Sequence, residues 1–235
     1  CRGGYGGGRQ LLGQGVTPLV QEYRAVARLC GLGAAAGVGA GGGALIVHHD
    51  RCRLVKGAKT GGAHREGKVG VFVIGRCVAR VETAETREQA RSDLVERWDR
   101  DRQANPDASR IILTHTNDEV RELNKAARDR MRAAGELGYD VRVKTERGDR
   151  AFATGDRIMF LRNERGLEVK NGTLGTVEQV NQQGMTVRTD DGRSVAFDMK
   201  DYAHVDHGYA ATIHKAQGMS VDRSHMLATP GMDRH

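Results

Sequence analysis

The sequence lacks a long apolar run and has few cysteines. No stretch approaches the roughly 18 consecutive apolar residues of a membrane-spanning helix, and no charged start followed by an apolar core marks a signal peptide. We therefore expect a soluble, cytoplasmic protein. The four cysteines form no Cys-x-x-Cys pair, and His48, His49 and Cys52 lack a fourth ligand at the spacing of a zinc site. We predict reduced thiols and no bound metal.

Acidic residues are scarce in the first third of the chain. Residues 1–81 carry 12 Lys and Arg against 3 Asp and Glu and hold 20 of the 32 glycines, whereas residues 82–235 carry 25 against 27. The net charge of +7 therefore comes from the first third, so it does not indicate a polyanionic partner for the rest. Glycine tracts and short apolar runs without a sustained period predict that residues 1–81 are irregular or disordered and are not a native domain. Our hypothesis for this change of composition is a foreign reading frame, which translating the DNA in its other two frames would test.

A pattern typical of a phosphate-binding loop runs from Gly62 to Lys68. It matches Gly-x-x-x-x-Gly-Lys, but Val69 follows in place of the Ser or Thr that would hold magnesium. We predict no strand leading into it and no helix after it, and therefore no nucleotide site. A stand-alone nucleotide enzyme built on this loop is the alternative, which loss of nucleotide binding on Lys68→Ala would support.

Residues 82–140 have the pattern of an α/β domain. Thr86 begins a capping box and apolar residues follow at four-residue spacing, which predicts a helix. Arg110–Thr114 has the character of a buried strand, and Thr116 begins a second capping box ahead of a second helix. A strand that leads directly into a capped helix is the arrangement whose crevice binds ligands. Free amides there could bind phosphate, although capping alone accounts for Thr116 and Asn117.

Residues 141–206 change to short β-rich runs. Turn signals at Asn171-Gly172 and at Asp190-Asp191-Gly192 separate these runs, as in β-hairpins. Several short strands at this spacing predict a small β-barrel. Its charged rim could touch a nucleic acid, although solvated surface charge is commoner. The rim residues are Arg157, Arg162, Arg165 and Lys170.

The most informative segment runs from His207 to Gly218. Polar or charged side chains fall close together just before Gly218; they are Thr212, His214, Lys215 and Gln217. The spacing predicts a short helix over residues 211–217, with Gly218 as its left-handed cap. An exposed polar helix without a function is the alternative interpretation.

The order of these residues, Gly-Tyr-Ala-x-Thr-x-His-Lys-x-Gln-Gly, resembles motif V of superfamily 1 DNA helicases. That group includes conjugative relaxase–helicases and the alpha subunit of exonuclease V. Residues 155–163, 169–177, 221–225 and 228–235 are similar to the Ti-type conjugative transfer relaxase. The resemblance covers residues 82–235, and nothing before about residue 82 shares it.

The resemblance implies a partial RecA-like motor lobe interrupted by a small β-barrel insert. Residues 82–140 would begin the second motor lobe, residues 141–206 would form the insert, and residues 207–235 would return to the lobe. ATP and Mg²⁺ are cofactors of the family, and its partners are single-stranded DNA and a first motor lobe. The family's phosphate loop, acidic magnesium pair, motif VI arginine and nicking domain have no counterpart here. We therefore expect a fragment that binds ATP and Mg²⁺ poorly and is inactive alone.

The resemblance also implies roles for the residues of motif V. Thr212 and His214 are expected to touch the single-strand backbone, because a hydroxyl and an imidazole can donate to phosphate without reading base sequence. Lys215, Gln217 and Gly218 are expected to face the ATP cleft or to couple it to the DNA.

Thr116 and Asn117 lie in a segment similar to the family's motif IV region and are assigned to DNA binding as well. The expected function is therefore that of a helicase fragment acting in plasmid DNA transfer. The alternative is a non-catalytic nucleic-acid-binding module built on the barrel. In that case, binding would survive Thr212→Ala and His214→Ala but would be lost on barrel substitutions.

Overall fold

The computed structural model describes residues 44–50, 60–66, 69–74, 77–216, 219 and 221–229. Over these residues the chain is α/β, with two helices and three β-sheets. The helices are α1 (Arg87–Ala104) and α2 (Asn117–Ala133). The strands are β1 (Ala44–Asp50), β2 (Thr60–Glu66), β3 (Val69–Ile74), β4 (Cys77–Ala84), β5 (Arg110–Thr114), β6 (Val141–Thr145), β7 (Gly148–Phe152), β8 (Arg157–Phe160), β9 (Leu174–Val180), β10 (Gly184–Thr189), β11 (Ser194–Asp198), β12 (Val205–His207), β13 (Ala210–Thr212) and β14 (Arg223–Ala228).

Seven strands form the first sheet, hereafter the large sheet, in the order β13-β5-β14-β1-β4-β3-β2. Strands β13 and β14 run parallel to β5, whereas β1 pairs antiparallel with β14 and β4. Every residue of β5 is buried, as expected of a central strand that is covered on both faces. The predicted strand from Arg110 to Thr114 is thus confirmed.

Both helices begin at the predicted capping residues. The Thr86 hydroxyl accepts a hydrogen bond from Gln89 N at 3.1 Å, and the Thr116 hydroxyl accepts one from Glu119 N at 3.2 Å. The two helices cover one face of the large sheet, where they share a core that includes Leu94, Trp98, Ile112, Leu123, Ala127 and Leu227. Among the described residues, neither helix combines the length and the apolar character that crossing a bilayer requires.

Five strands form a second, antiparallel sheet, hereafter the small sheet, in the order β11-β10-β9-β8-β12, and β6 pairs with β7 as a separate hairpin. The predicted turn at Asp190-Asp191-Gly192 joins β10 to β11, with Gly192 at a φ of 90°. Phe160 and Val187 belong to the core of this sheet. The strand order joins β11 to no second neighbour, so the described strands form an open sheet. The closed barrel stays a prediction.

The small sheet packs on the second face of the large sheet. Ile111 and Leu113 of β5 share a core with Met159 and Leu174, which lie in β8 and β9. Successive residues of β5 thus alternate between this core and the helix-covered core. The centre of the large sheet is therefore sandwiched between two layers.

The chain returns from the small sheet to the large sheet over only two residues. Strand β12 ends at His207 and β13 begins at Ala210. Gly208 N donates to Arg157 O at 2.8 Å, and a side chain on Gly208 would come within 2.5 Å of the carbonyl carbon of Ile158. Glycine is therefore required at this crossing by the close approach of the two backbones.

The expectation of an irregular N-terminal third is wrong for β1 to β4. These strands pair with one another and with β14, and such long-range pairing is not visible in local apolar periodicity. Gly62–Glu66 lie in β2, and Val69 begins β3, which pairs antiparallel with β2, so a strand and not a helix follows the phosphate-loop pattern. Gly67 and Lys68 lie outside the described residues. Residues 1–43 and Cys52 lie outside the described residues.

Candidate functional site

The candidate site lies at the carboxyl ends of β5 and β13. These strands are parallel neighbours, and Thr212, the last residue of β13, pairs with Thr114, the last residue of β5. Ile213 N donates to Thr114 O at 3.0 Å, which extends the contact one residue past β13. The chain then leaves both strands at the same edge of the sheet, where α/β proteins form their ligand crevices.

The loop after β5 brings Asn117 next to Lys215. Thr116 caps α2 with its hydroxyl, so the capping interpretation of this residue is confirmed. Asn117 begins α2, and its Oδ1 accepts a hydrogen bond from Lys215 Nζ at 3.4 Å. Two residues that are 98 positions apart in the sequence are therefore in direct contact.

The described part of the motif V segment does not form the predicted helix. Ala210–Thr212 form β13, and a single turn follows, in which Ala216 N donates to Thr212 O at 3.0 Å. Parallel pairing with β5 satisfies the backbone of this segment and overrides its local preference. Gln217 and Gly218 lie outside the described residues.

Thr212 and His214 are placed differently. The Thr212 side chain is 7% exposed, and its hydroxyl accepts a hydrogen bond from Lys215 N at 3.4 Å within the turn. His214 is exposed. Their assignment to single-stranded DNA stays a prediction, and the exposed imidazole is the more accessible of the two groups.

Lys215 is half-buried where the turn meets the loop before β9. A side chain on Gly172 of that loop would lie 3.5 Å from Lys215 O. Burial lowers the pKa of the Lys215 ammonium, the positive charge of Arg147 lowers it further, and Asp206 opposes both effects. A partly desolvated cation gains more from a nearby anion than a fully hydrated one, so this position favours a negatively charged ligand.

The sequence places Glu119 only at the acidic position of the capping box that Thr116 begins, and the structure buries its side chain at the start of α2. The Thr114 hydroxyl donates to Glu119 Oε2, and Arg87 Nε lies 3.7 Å from Glu119 Oε1. These contacts tie the end of β5 to the beginning of α2 and so fix Asn117. The capping-box spacing predicts an acidic residue at this position but not its contact with Thr114.

The donors at this edge suit a phosphate group. An ammonium, an exposed imidazole and the free amides at the start of α2 can all donate to phosphate oxygens without recognising a base. Within the part of the chain that the structure describes, no three His, Cys, Asp or Glu side chains are grouped so that they could hold a metal ion.

No family model matches the chain. The conjugal transfer protein TraA of Sinorhizobium fredii is 39% identical over 173 residues, which cover 72% of this chain and 16% of that protein. The ATP-dependent DNA helicase Pif1 of Bdellovibrio bacteriovorus is 35% identical over 83 residues, which cover 29% of this chain and 19% of the helicase. The solved structure of unliganded Pif1 from Bacteroides sp is 22% identical, with 49% of this chain and 45% of that one covered and a TM-score of 0.35.

The match to TraA extends further toward the start of the chain than the motifs indicate. Residues 82–235 make up about 66% of the 235 residues, so a match to 72% of the chain includes residues before position 82. The expectation that nothing before about residue 82 is related is therefore wrong. The chain spans 16% of the length of this relative. Over the matched residues, the chain is a homologue of the conjugal transfer protein TraA.

Proposed function

We propose that this chain is part of the helicase region of a conjugative DNA-transfer protein and that its carboxyl-edge site binds the backbone of single-stranded DNA. The observation that carries the proposal is the contact between Lys215 and Asn117, which joins the segments that resemble helicase motifs V and IV. The homology to TraA supports it, as does the shorter match to an ATP-dependent DNA helicase. The position of the site at the ends of parallel strands agrees with a motor lobe.

Lys215 and His214 supply the backbone contacts in this proposal. The ammonium acts as a point charge and the exposed imidazole as a hydrogen-bond donor, and neither reads base edges. Thr212 acts through the turn, because its hydroxyl holds the amide of Lys215 in place. A motor that moves along any sequence needs contacts of this kind.

ATP and Mg²⁺ are proposed as cofactors of the longer protein to which this chain is related. The described residues contain no group of three metal-ligating side chains, so no Mg²⁺ contact is assigned to them. Lys215, Gln217 and Gly218 are assigned to the boundary between the DNA contact and the ATP cleft, because they follow β13 within a few residues.

Fluorescence anisotropy with a fluorescein-labelled oligothymidine tests the proposal. Lys215→Ala is expected to weaken binding about tenfold, as for the loss of one charge-assisted hydrogen bond. The slope of log affinity against log salt concentration is expected to fall by about 0.7, the value for one phosphate contact on a single strand. Lys200→Ala is the matched control, because Lys200 is an exposed lysine in the turn after β11 and is expected to change neither quantity.

An affinity and a salt slope that Lys215→Ala leaves unchanged would contradict the proposal. Loss of binding on Arg162→Ala and Lys170→Ala, with Lys215→Ala binding as the wild type does, would assign binding to the small sheet. That outcome would favour the alternative function of a non-catalytic binding module.

A further inference from the structure

Asp156 is a buried carboxylate between the two sheets. Its side chain is 0% exposed, and it lies directly before β8. Its backbone belongs with the small sheet, because Val177 N of β9 donates to Asp156 O at 2.8 Å. A carboxylate without water is stable only when its charge and its lone pairs are compensated by protein groups. The identity of those groups shows what Asp156 holds together.

Two residues of the large-sheet layer bind the Asp156 side chain. Arg128 of α2 donates from Nε to Oδ1 at 2.8 Å and from Nη2 to Oδ2 at 2.8 Å. Tyr209, which directly precedes β13, donates its hydroxyl to Oδ1 at 2.8 Å. Ala153 N completes the set at 2.7 Å from Oδ2. The two-point guanidinium contact fixes orientation as well as charge.

Tyr209 is a permanent donor in this network. Burial raises the pKa of its hydroxyl and the negative charge of Asp156 raises it further, so the hydroxyl keeps its proton. Its ring packs edge-on against Trp98, with 5.9 Å between ring centroids. The ring is therefore held by the large-sheet core independently of the hydroxyl.

Both partners of Asp156 belong to the elements that carry the candidate site. Arg128 lies on α2, which begins at Asn117. Tyr209 leads into β13, which ends three residues before Lys215. The carboxylate thus contacts α2 and the residue before β13, the two elements that carry Asn117 and Lys215.

A second contact keeps α2 and β13 together. The Asn124 side chain of α2 accepts a hydrogen bond from Ala210 N at 2.9 Å and donates one to Ala210 O at 3.2 Å. It therefore takes the place of a neighbouring strand along the outer edge of β13. Because α2 and β13 form one unit, a group that holds both also holds the site between them.

We propose that Asp156 is a positioning residue that fixes the small sheet, with Asp206 and its ion-pair partner Arg147 in the β6–β7 turn, against the turn that carries Lys215. Removing its bond to Tyr209 loosens this arrangement, hydrates Lys215 and moves Arg147 away from it. The DNA-binding part of the test rests on the proposed function, whereas the titration of Lys215 does not.

Tyr209→Phe is the decisive variant, because it removes one hydroxyl and keeps the ring on Trp98. In NMR titrations with ¹³C-labelled lysine, the pKa of Lys215 is expected to rise toward its ordinary value of 10.5. Oligothymidine binding is expected to weaken about fivefold, as for the loss of one hydrogen bond. Asp156→Asn is expected to act in the same direction more strongly, and Tyr209→Phe decides the matter if that variant does not fold.

Tyr202→Phe is the matched control. Tyr202 is also buried, but its hydroxyl donates to Arg162 O at 2.7 Å and so stays within the small-sheet layer. We expect this variant to change neither the pKa of Lys215 nor DNA binding. A folded Tyr209→Phe protein with the Lys215 pKa of the wild type would overturn the positioning role. If wild-type protein does not bind oligothymidine, the proposed function fails, and the Lys215 titration still decides the role of Asp156.

Discussion

The large sheet and the small sheet differ in how they bury their strands. In the large sheet, β5 is buried at all five positions and β14 at five of six, whereas β11 of the small sheet alternates exposed and buried residues. The central strands of the large sheet have a layer on each face, and β11 has one face in solvent. Burial at every position therefore marks the strand whose end forms a site, and alternation of buried and exposed residues marks a supporting surface.

The two sheets also differ in where their polar groups lie. On the small sheet, charges pair across the solvent face, as where Arg188 Nε donates to Glu178 Oε1 at 2.6 Å. In the parallel part of the large sheet, Thr114 and Thr212 are paired at the carboxyl ends, and the buried polar residues Arg110, Ser224 and His225 lie toward the amino ends. Polar groups thus lie along the solvent face of the small sheet, and in the large sheet they lie toward both ends of the parallel strands.

The largest expected effect comes from the two-sided burial of β5. Ile112 is 0% exposed, and Ile112→Ala is expected to lower the unfolding free energy by about 3–4 kcal/mol, since it leaves a cavity against both helices. Val187→Ala in the small sheet removes fewer methyl groups and is expected to cost about 2 kcal/mol. Urea unfolding followed by circular dichroism measures both. An equal or larger loss of unfolding free energy in Val187→Ala would contradict the expected difference between the two sheets.

A smaller effect is expected at the outer edge of the large sheet. Asn124→Ala leaves both backbone groups of Ala210 without their side-chain partner and is expected to cost about 1–3 kcal/mol. It is also expected to weaken oligothymidine binding, because α2 and β13 separate. Asn163→Ala is the control: Asn163 Oδ1 accepts from Asn171 N at 2.8 Å in an exposed loop. Equal losses of unfolding free energy in the two variants would show that the contact of Asn124 with Ala210 does not stabilise the edge of β13.

The smallest expected effect is a dependence of the unfolding free energy on pH. Burial lowers the pKa of His225, in β14, against the opposing contact with Asp101, and burial also lowers the pKa of His207, in β12, below the ordinary value of 6.5. As the pH falls through 6.5, the unfolded chain takes up protons that the folded chain does not. The unfolding free energy therefore falls below that pH, by at most about 1.4 kcal/mol per pH unit for each group. Above pH 6.5 neither histidine makes the unfolding free energy depend on pH.

Urea unfolding at a series of pH values on both sides of 6.5 measures this slope. His225→Gln removes the titrating histidine of the large sheet, and His207→Gln removes that of the small sheet. Each variant is expected to reduce the slope of the unfolding free energy against pH. If both sheets unfold in one transition, each variant acts on the same curve. A slope that neither variant alters would contradict the prediction.

The sequence predicts the parts of this fold whose signals are local. The caps at Thr86 and Thr116 and the apolar run of β5 lie within a few residues of the structures they determine, and these predictions are confirmed. The polar spacing around residues 210–212 predicts a helix over residues 211–217. Their parallel pairing with a strand about a hundred residues earlier decided otherwise, and local spacing cannot reveal such a contact.

The site shows the same limit. The family resemblance assigned Lys215 and Asn117 to different motifs, and only the fold brings them into contact. Asp156 lies within residues 155–163, which are similar to the relaxase family, but the resemblance implies no role for it. Its importance depends on Arg128 and Tyr209, which lie 28 and 53 positions away in the sequence. Partners at such distances are set by topology, which composition and periodicity do not specify.

The short crossing at Gly208 limits how far the small sheet can move relative to the large sheet. Two residues separate β12 from β13, and an extended residue spans only about 3.3–3.6 Å. If the small sheet moves away by more than the length of this two-residue crossing, the first residue of β13 must move with it or separate from β5. A mechanical force on the small sheet is therefore transmitted directly to β13, the strand that ends at Thr212.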